Sequence, residues 1–312
     1  MPSLDPRDVA LNKYLADYVL AYRPQGLIGP RLFPVQSVPN QSGTFASIVK
    51  DQTMRPASTL HNPGEEPKTS LVTLTTTSYY CQGYRYGAEA VYEFDTSDFA
   101  VIDRLTDATL DRISFDQEMR CVTKIFTGVG SSLTAPVAFT VQSGNVNTSC
   151  PTSYFNVAIE AVRATSGLKP NIVVCPQQVF NVLMHHPDIR ANGVGNTAVE
   201  RLASVCQVAP ENLLIPYARV LTNQEGQANT FFDVWSTNML FAYVSPSGPS
   251  TATFATAFRW KGPGQGFDDG PPSLRAWLSR DDEKGTTCIY AGYYQDERIV
   301  DASLCFLLTS GI

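Results

Sequence analysis

Apolar positions along the chain change period several times, and each change marks an element. Leu11, Leu15, Tyr18, Val19 and Tyr22 recur at helical spacing behind Asp5, a cap, and Pro6, suited to a first helical position. Prolines at 24, 30, 34 and 39 then break any regular element, so 23–43 reads as an extended arm lying across something else. Thr44 to Lys50 is a β-type run, and Ser70 to Tyr80 is dense in Thr, Val, Leu and Tyr. Between them lie Pro56, Asn62-Pro63-Gly64 and Pro67. At about 3.3 Å per residue the second run reaches roughly 36 Å, too long and too polar to be buried on both faces. A projecting hairpin from about Thr44 to Glu89 is expected, with edges that need a partner.

A long helix follows, capped near Asp95, Thr96 or Ser97 and stopping at Gly128. Phe99, Ile102 and Leu105 start an apolar stripe, continued less regularly by Leu110, Ile113, Val122, Ile125 and Phe126. Asp116 and Arg120 stand at favourable i,i+4 spacing. Some thirty residues at 1.5 Å each give about 45 Å, enough to cross a subunit. A Gly/Ser/Thr/Asn-rich stretch, 129–150, reads as a boundary loop. Beyond it come helices near 153–165, from Pro176 to before Pro187, and near 197–207. Strands are expected at 171–175, 213–221, 231–244 and 252–260, then 273–278, 286–294 and 299–308. The order is too irregular for successive βαβ units, so the fold class is α+β.

Composition narrows the function. The chain has 312 residues, 43% hydrophobic but only 17% charged, with net charge −6. The charged share is below the roughly 25% of ordinary soluble proteins, as expected of a chain that hides surface against copies of itself. An acidic balance without a Lys/Arg run opposes tight grip on nucleic acid. No apolar stretch is long enough for a membrane span, and residues 1–8 lack the pattern of a secretory signal. Seven scattered cysteines without a CxxC pair read as reduced, packed thiols.

Candidate chemistry is sparse. Cys175 with His185 or His186 could form a thiol nucleophile and base, but no third orienting group accompanies them and a packed cysteine is the stronger reading. His185, His186 and Asp188 suggest a metal only weakly, since adjacent helical positions point apart. Asp281-Asp282-Glu283 and Asp268-Asp269 lack the spacing of a calcium loop. Gly262-Pro-Gly264-Gln-Gly266 lacks the Lys-Ser/Thr or following helix of a phosphate-binding loop. No catalytic, cofactor-binding or metal residue is assigned.

The order of elements resembles the major capsid proteins of tailed bacteriophages, the Hong Kong 97-type capsid fold. Leu27 to Lys50 (LIGPRLFPVQSVPNQSGTFASIVK) looks like the family's N-terminal arm entering its E-loop, and Tyr84 to Glu93 (YRYGAEAVYE) like the E-loop's return. The helix after it looks like the spine helix of the peripheral domain. Lys169 to Asn192 (KPNIVVCPQQVFNVLMHHPDIRAN) is similar to the start of the axial domain. Leu202 to Asn223, Val234 to Pro246 and Thr251 to Trp260 match its later strands, and Tyr293 to Ile312 its closing strands.

The resemblance implies a domain plan: 1–43 helix and arm, 44–90 E-loop hairpin, 91–150 peripheral domain, 151–272 axial domain, and 273–312 closing strands returning to the peripheral domain. It implies a non-enzymatic subunit of a virion shell, made in the host cytoplasm. Its copies would form pentamers and hexamers enclosing double-stranded DNA without specific binding. Portal, scaffolding and decoration proteins are implied as partners, with a separate scaffold or none expected because only about 25 residues precede the arm. Candidate assembly contacts are Lys50, Arg55, Glu65, Glu66 and Lys68. Lys50 and Lys68 also match the lysine of a family crosslink, but no asparagine follows Asn238 to complete it. An encapsulin-type nanocompartment shares the fold and is the alternative; a Cys/His hydrolase is the alternative of another class.

Overall fold

The computed structural model describes residues 26–48, 66, 74–91, 101–129, 132–134, 150–221, 230–245, 252–261, 275–281 and 286–309. The expected first helix, the hairpin tip apart from Glu66, most of the 129–150 loop, the 262–266 glycines and Asp268, Asp269, Asp282 and Glu283 lie outside these residues.

The proline-rich arm is more regular than its composition suggests. Pro30 opens a one-turn helix, α1 (Gly29–Leu32), where its missing N–H costs nothing. Strand β1 (Val35–Val38) follows and pairs in parallel with β11 (Ala255–Trp260). Ile28, Leu32 and Phe33 are buried, so the arm contributes to a core that it could not form alone.

The first sheet is organised by β13 (Thr286–Ile299), a 14-residue strand that extends the run expected at 286–294. One edge of β13 pairs with β12 (Arg275–Asp281) and then with β11. Its other edge pairs antiparallel with β4 (Gln82–Val91) over ten residues. The run expected as the return limb of the projecting hairpin is thus a strand of this sheet through most of its length. The hairpin itself is β2 (Ser42–Ile48) against β3 (Leu74–Tyr80), a separate two-stranded pair.

Helix α2 (Val101–Gly128) crosses this sheet; its 28 residues span about 42 Å. Leu110, Ile113, Val122 and Ile125 are buried as the stripe predicts, but so are Thr106, Thr109, Gln117 and Glu118. Glu118 turns to the arm and to Trp235, while the neighbouring Arg120 faces a sheet surface that carries Glu297 and Tyr293.

The second sheet runs β5 (Ser132–Thr134), β14 (Cys305–Thr309), β10 (Asn238–Ala242), β6 (Ile172–Val174) and β7 (Leu213–Leu214). Strand alternation divides its side chains between two cores. Ile172, Val174, Leu240, Ala242 and Leu307 face the arm and α2. Val173, Met239, Phe241 and Leu308 face α3 (Pro151–Ser166), α4 (Gln177–Leu183), α5 (Pro187–Asn192) and α6 (Ala198–Val205). Helix α3 ends on Gly167 at φ +68°, a left-handed position that favours glycine, with its N–H bonded to the Arg163 carbonyl. A reciprocal Thr197–Glu200 capping box opens α6.

The helix from Pro176 stops before Pro187 as expected, ending at Leu183, and Pro187 then starts α5, capped by the His186 ring. The strands expected at 213–221 and 231–244 are each broken. Between β7 and β10 a small hairpin forms from β8 (Arg219–Leu221) and β9 (Phe231–Asp233), and Ser236 turns at φ +50° before β10.

Candidate functional site

The root of the β2–β3 hairpin is the most constrained junction on the first sheet. Phe45 and Tyr79 face the body and both rest on Phe258 of β11, with ring centroids 4.8 Å apart in each case. Tyr79 lies across Gly43; a Cβ there would sit 2.6 Å from its hydroxyl, so the crossing requires glycine. Val38 and Cys81 complete this cluster, and burial pushes the Cys81 thiol up to about 11. Hydrogen bonds lock the same point. The Cys81 amide donates to the Gln41 carbonyl at 2.8 Å, and the Trp260 indole donates to the Pro39 carbonyl at 3.1 Å. Asp296 accepts from the Tyr80 amide at 2.9 Å and from Arg298 Nε at 2.7 Å. On the opposite face of the hairpin, Ser42, Thr44, Ala46, Thr76, Ser78 and Tyr80 are exposed. Among the described residues neither hairpin strand pairs with any third strand.

Beneath the sheet a polar layer joins α2 to β13. Arg120 donates to Asp116, to the Tyr293 hydroxyl at 2.6 Å and to Glu297 at 3.1 Å, and its guanidinium stacks 3.5 Å from the Tyr84 ring centre. Burial opposes its charge, but Glu297 and Tyr293 more than compensate and hold it protonated. Burial pushes the Tyr293 hydroxyl up to about 12. Gln295 Nε2 donates to Glu297 at 2.9 Å, and Arg259 Nε donates to Gln295 Oε1 at 2.8 Å. Every member is a structural partner of another, and none presents a free nucleophile to solvent.

On the outer face of this sheet Arg85, Tyr86, Gly87, Trp277 and Tyr290 line a shallow groove of about 340 Å³. Trp277 stacks on Tyr290 at 5.8 Å, and Arg85 donates to the Tyr294 hydroxyl at 2.7 Å. The β8–β9 hairpin exposes a second apolar group, Tyr217, Leu221, Phe231 and Phe232. Sequence reasoning missed it because these residues read as parts of two ordinary strands.

The sequence-predicted contact residues divide simply. Glu66 is exposed, while Lys50, Arg55, Glu65 and Lys68 lie outside the described residues. The hydrolase candidates are not brought together as a site. Cys175 is fully buried, with its sulfur 3.8 Å from the Pro176 carbonyl; burial, then Cys206, pushes its thiol well above the ordinary value. His186 accepts the Asp188 amide at 3.2 Å, and His185 rests against Arg190. Asp188 accepts from the Thr152 amide and hydroxyl, at 3.0 and 2.6 Å, and from Asn192 at 2.6 Å. These residues tie helix ends together. Among the described residues no group of three or more His, Cys, Asp or Glu could hold a metal, and no helix is long and apolar enough to cross a membrane. Five of the seven cysteines are buried.

No protein-family model matches the sequence, and no curated protein matches it. Solved structures do. A phage-related protein from Bordetella bronchiseptica superposes with a TM-score of 0.70 at 18% identity, covering 95% of this chain and 96% of that one. The capsid of cyanophage P-SCSP1u matches with a TM-score of 0.60 at 9% identity, over 93% and 90% of the two chains. An encapsulin complex from Synechococcus elongatus matches with a TM-score of 0.52 at 12% identity, over 98% and 96%. The α+β architecture is therefore the Hong Kong 97-type capsid fold, over nearly the whole chain.

Proposed function

We propose that this chain is a major capsid protein, a structural subunit whose copies assemble into pentamers and hexamers of an icosahedral shell around packaged double-stranded DNA. The observation that carries the reading is the capsid fold over at least nine-tenths of both chains, combined with a hairpin whose strands pair with no third strand among the described residues. Unpaired strand edges and an exposed Thr/Tyr face gain hydrogen bonds and burial from a neighbouring copy. Interfaces of that kind are individually modest and become strong by repetition in a closed lattice.

In this reading the β2–β3 hairpin reaches the neighbouring subunit, α2 with the first sheet forms the peripheral domain, and the second sheet with α3–α6 forms the axial domain around the symmetry axes. Lys50, Arg55, Glu65, Glu66 and Lys68 supply charged contacts at the hairpin's far end. Portal, scaffolding and decoration proteins complete a virion. The buried Cys175 supports a structural rather than a hydrolytic subunit. Net charge −6 suits a lining that encloses DNA without gripping it.

The likeness to an encapsulin complex over 98% of the chain supports a second reading, a protein nanocompartment. Negative-stain microscopy of the purified chain, alone and with a scaffolding protein from the same source, tests both. Closed shells or rings are expected; a persistent monomer under crowding in both conditions overturns the shell reading. Shells that carry protein cargo and exclude DNA favour the nanocompartment.

A further inference from the structure

The carboxylate of Glu118, in the middle of α2, is fully buried and gathers two parts of the chain that lie far apart in sequence. Its Oε2 accepts the amide of Ile28 at 3.1 Å and that of Gly29 at 2.6 Å. Its Oε1 accepts the Trp235 indole N–H at 2.7 Å. Gly29 permits the approach, since a Cβ there would lie 2.8 Å from Oε2. Trp235 is itself 1% exposed and sits in the turn between β9 and β10.

No ion pair to Glu118 occurs among the described residues, and the charged groups around it are engaged elsewhere. On its own helix Arg120 turns toward Asp116 and Glu297, and the Cys121 thiol is pushed well up by burial, then by Glu297 and Glu118. From β13, Glu297 is held by Arg120 and Gln295. From the arm, Arg31 donates to the Glu211 carbonyl at 2.9 Å. Beside Trp235, Asp233 pairs with Arg219 at 2.9 Å. A buried carboxylate that relies on hydrogen bonds alone retains part of its desolvation cost.

We propose that Glu118 is a proton-dependent latch that docks the arm at residues 28–33 onto α2 and the Trp235 turn. Burial raises its pKa above the ordinary carboxylate value, and the Trp235, Gly29 and Ile28 donors offset this only in part. A raised value means that the docked form holds the proton more tightly than a lifted, solvated form. Docking is therefore strongest below the ordinary carboxylate range. It weakens as pH rises through the raised value and levels off above it.

The test is hydrogen exchange across residues 26–34 of the full chain, corrected for the intrinsic pH dependence of exchange. Inside that window wild-type protection should fall by up to about tenfold per pH unit, the slope of one proton. Glu118→Gln, which cannot ionise, should show a flat profile. A flat wild-type profile, or the same slope in Glu118→Gln, overturns the proposal. Should Glu118→Gln not fold, Trp235→Phe replaces it. Losing one donor should move the window to higher pH, and an unmoved window is equally fatal. Particle formation is scored separately, so failure of the latch leaves the shell reading standing.

Discussion

Phe258→Ala separates the attachment of the hairpin from the folding of the body. Phe258 is 2% exposed and carries the two hairpin rings, Phe45 and Tyr79, at 4.8 Å each. Truncating a buried Phe to Ala costs about 3–5 kcal/mol, of which each lost ring pair accounts for about 0.5–1.5 kcal/mol. The hairpin side of the cavity can lean inward and refill it, so the expected loss is near the lower end, about 3 kcal/mol. A domain of this size has about 5–15 kcal/mol to lose, so the variant should still fold. Urea unfolding measures the loss, and a Tyr79→Ala/Phe258→Ala double-mutant cycle should return a coupling of about 1 kcal/mol. Hydrogen exchange at 74–80 should accelerate ahead of global unfolding, because the root lets go first. A loss below about 1 kcal/mol, or coupling near zero, would refute the view that this ring cluster anchors the hairpin.

Replacing residues 52–69 with a short Gly-Ser turn should leave circular dichroism native while blocking closed shells in the microscope; normal shells would make the segment dispensable. Cys175 should react with thiol reagents only after denaturation, and Cys175→Ala should still assemble, whereas fast labelling of the native protein would revive the nucleophile. The isolated subunit should bind DNA weakly at physiological salt, as net charge −6 implies; tight binding with a steep salt slope would contradict this.

Period and punctuation made much of the architecture legible. Gly128 ends the long helix and Thr197 caps another, both where the sequence pattern put them. The partner of a strand was less legible. Gln82–Val91 has the composition of a hairpin limb, yet its cross-strand neighbours lie two hundred residues away on β13, a pairing that no local pattern encodes. The helix that Pro187 opens was missed for a related reason, since proline marks the end of one helix and suits the first turn of the next equally well.

The buried polar residues of α2 escaped because the stripe that marks a helix face assumes an apolar partner. Here the partner surface is itself polar, and Glu297 and Tyr293 hold the half-buried Arg120 against it. The three fixed junctions of the molecule are also polar or aromatic. Glu118 holds the arm, Arg120 binds α2 to β13, and Asp296 with Phe258 holds the hairpin root. Directional contacts of this kind specify one register, because a one-residue slip would leave a buried charge without its donors. An apolar interface would tolerate the slip at a smaller cost. On the proposed shell reading, a hairpin that meets neighbouring copies at a repeatable angle gains from that stiffness at the root. Directional contacts at the junctions then serve the proposed assembly.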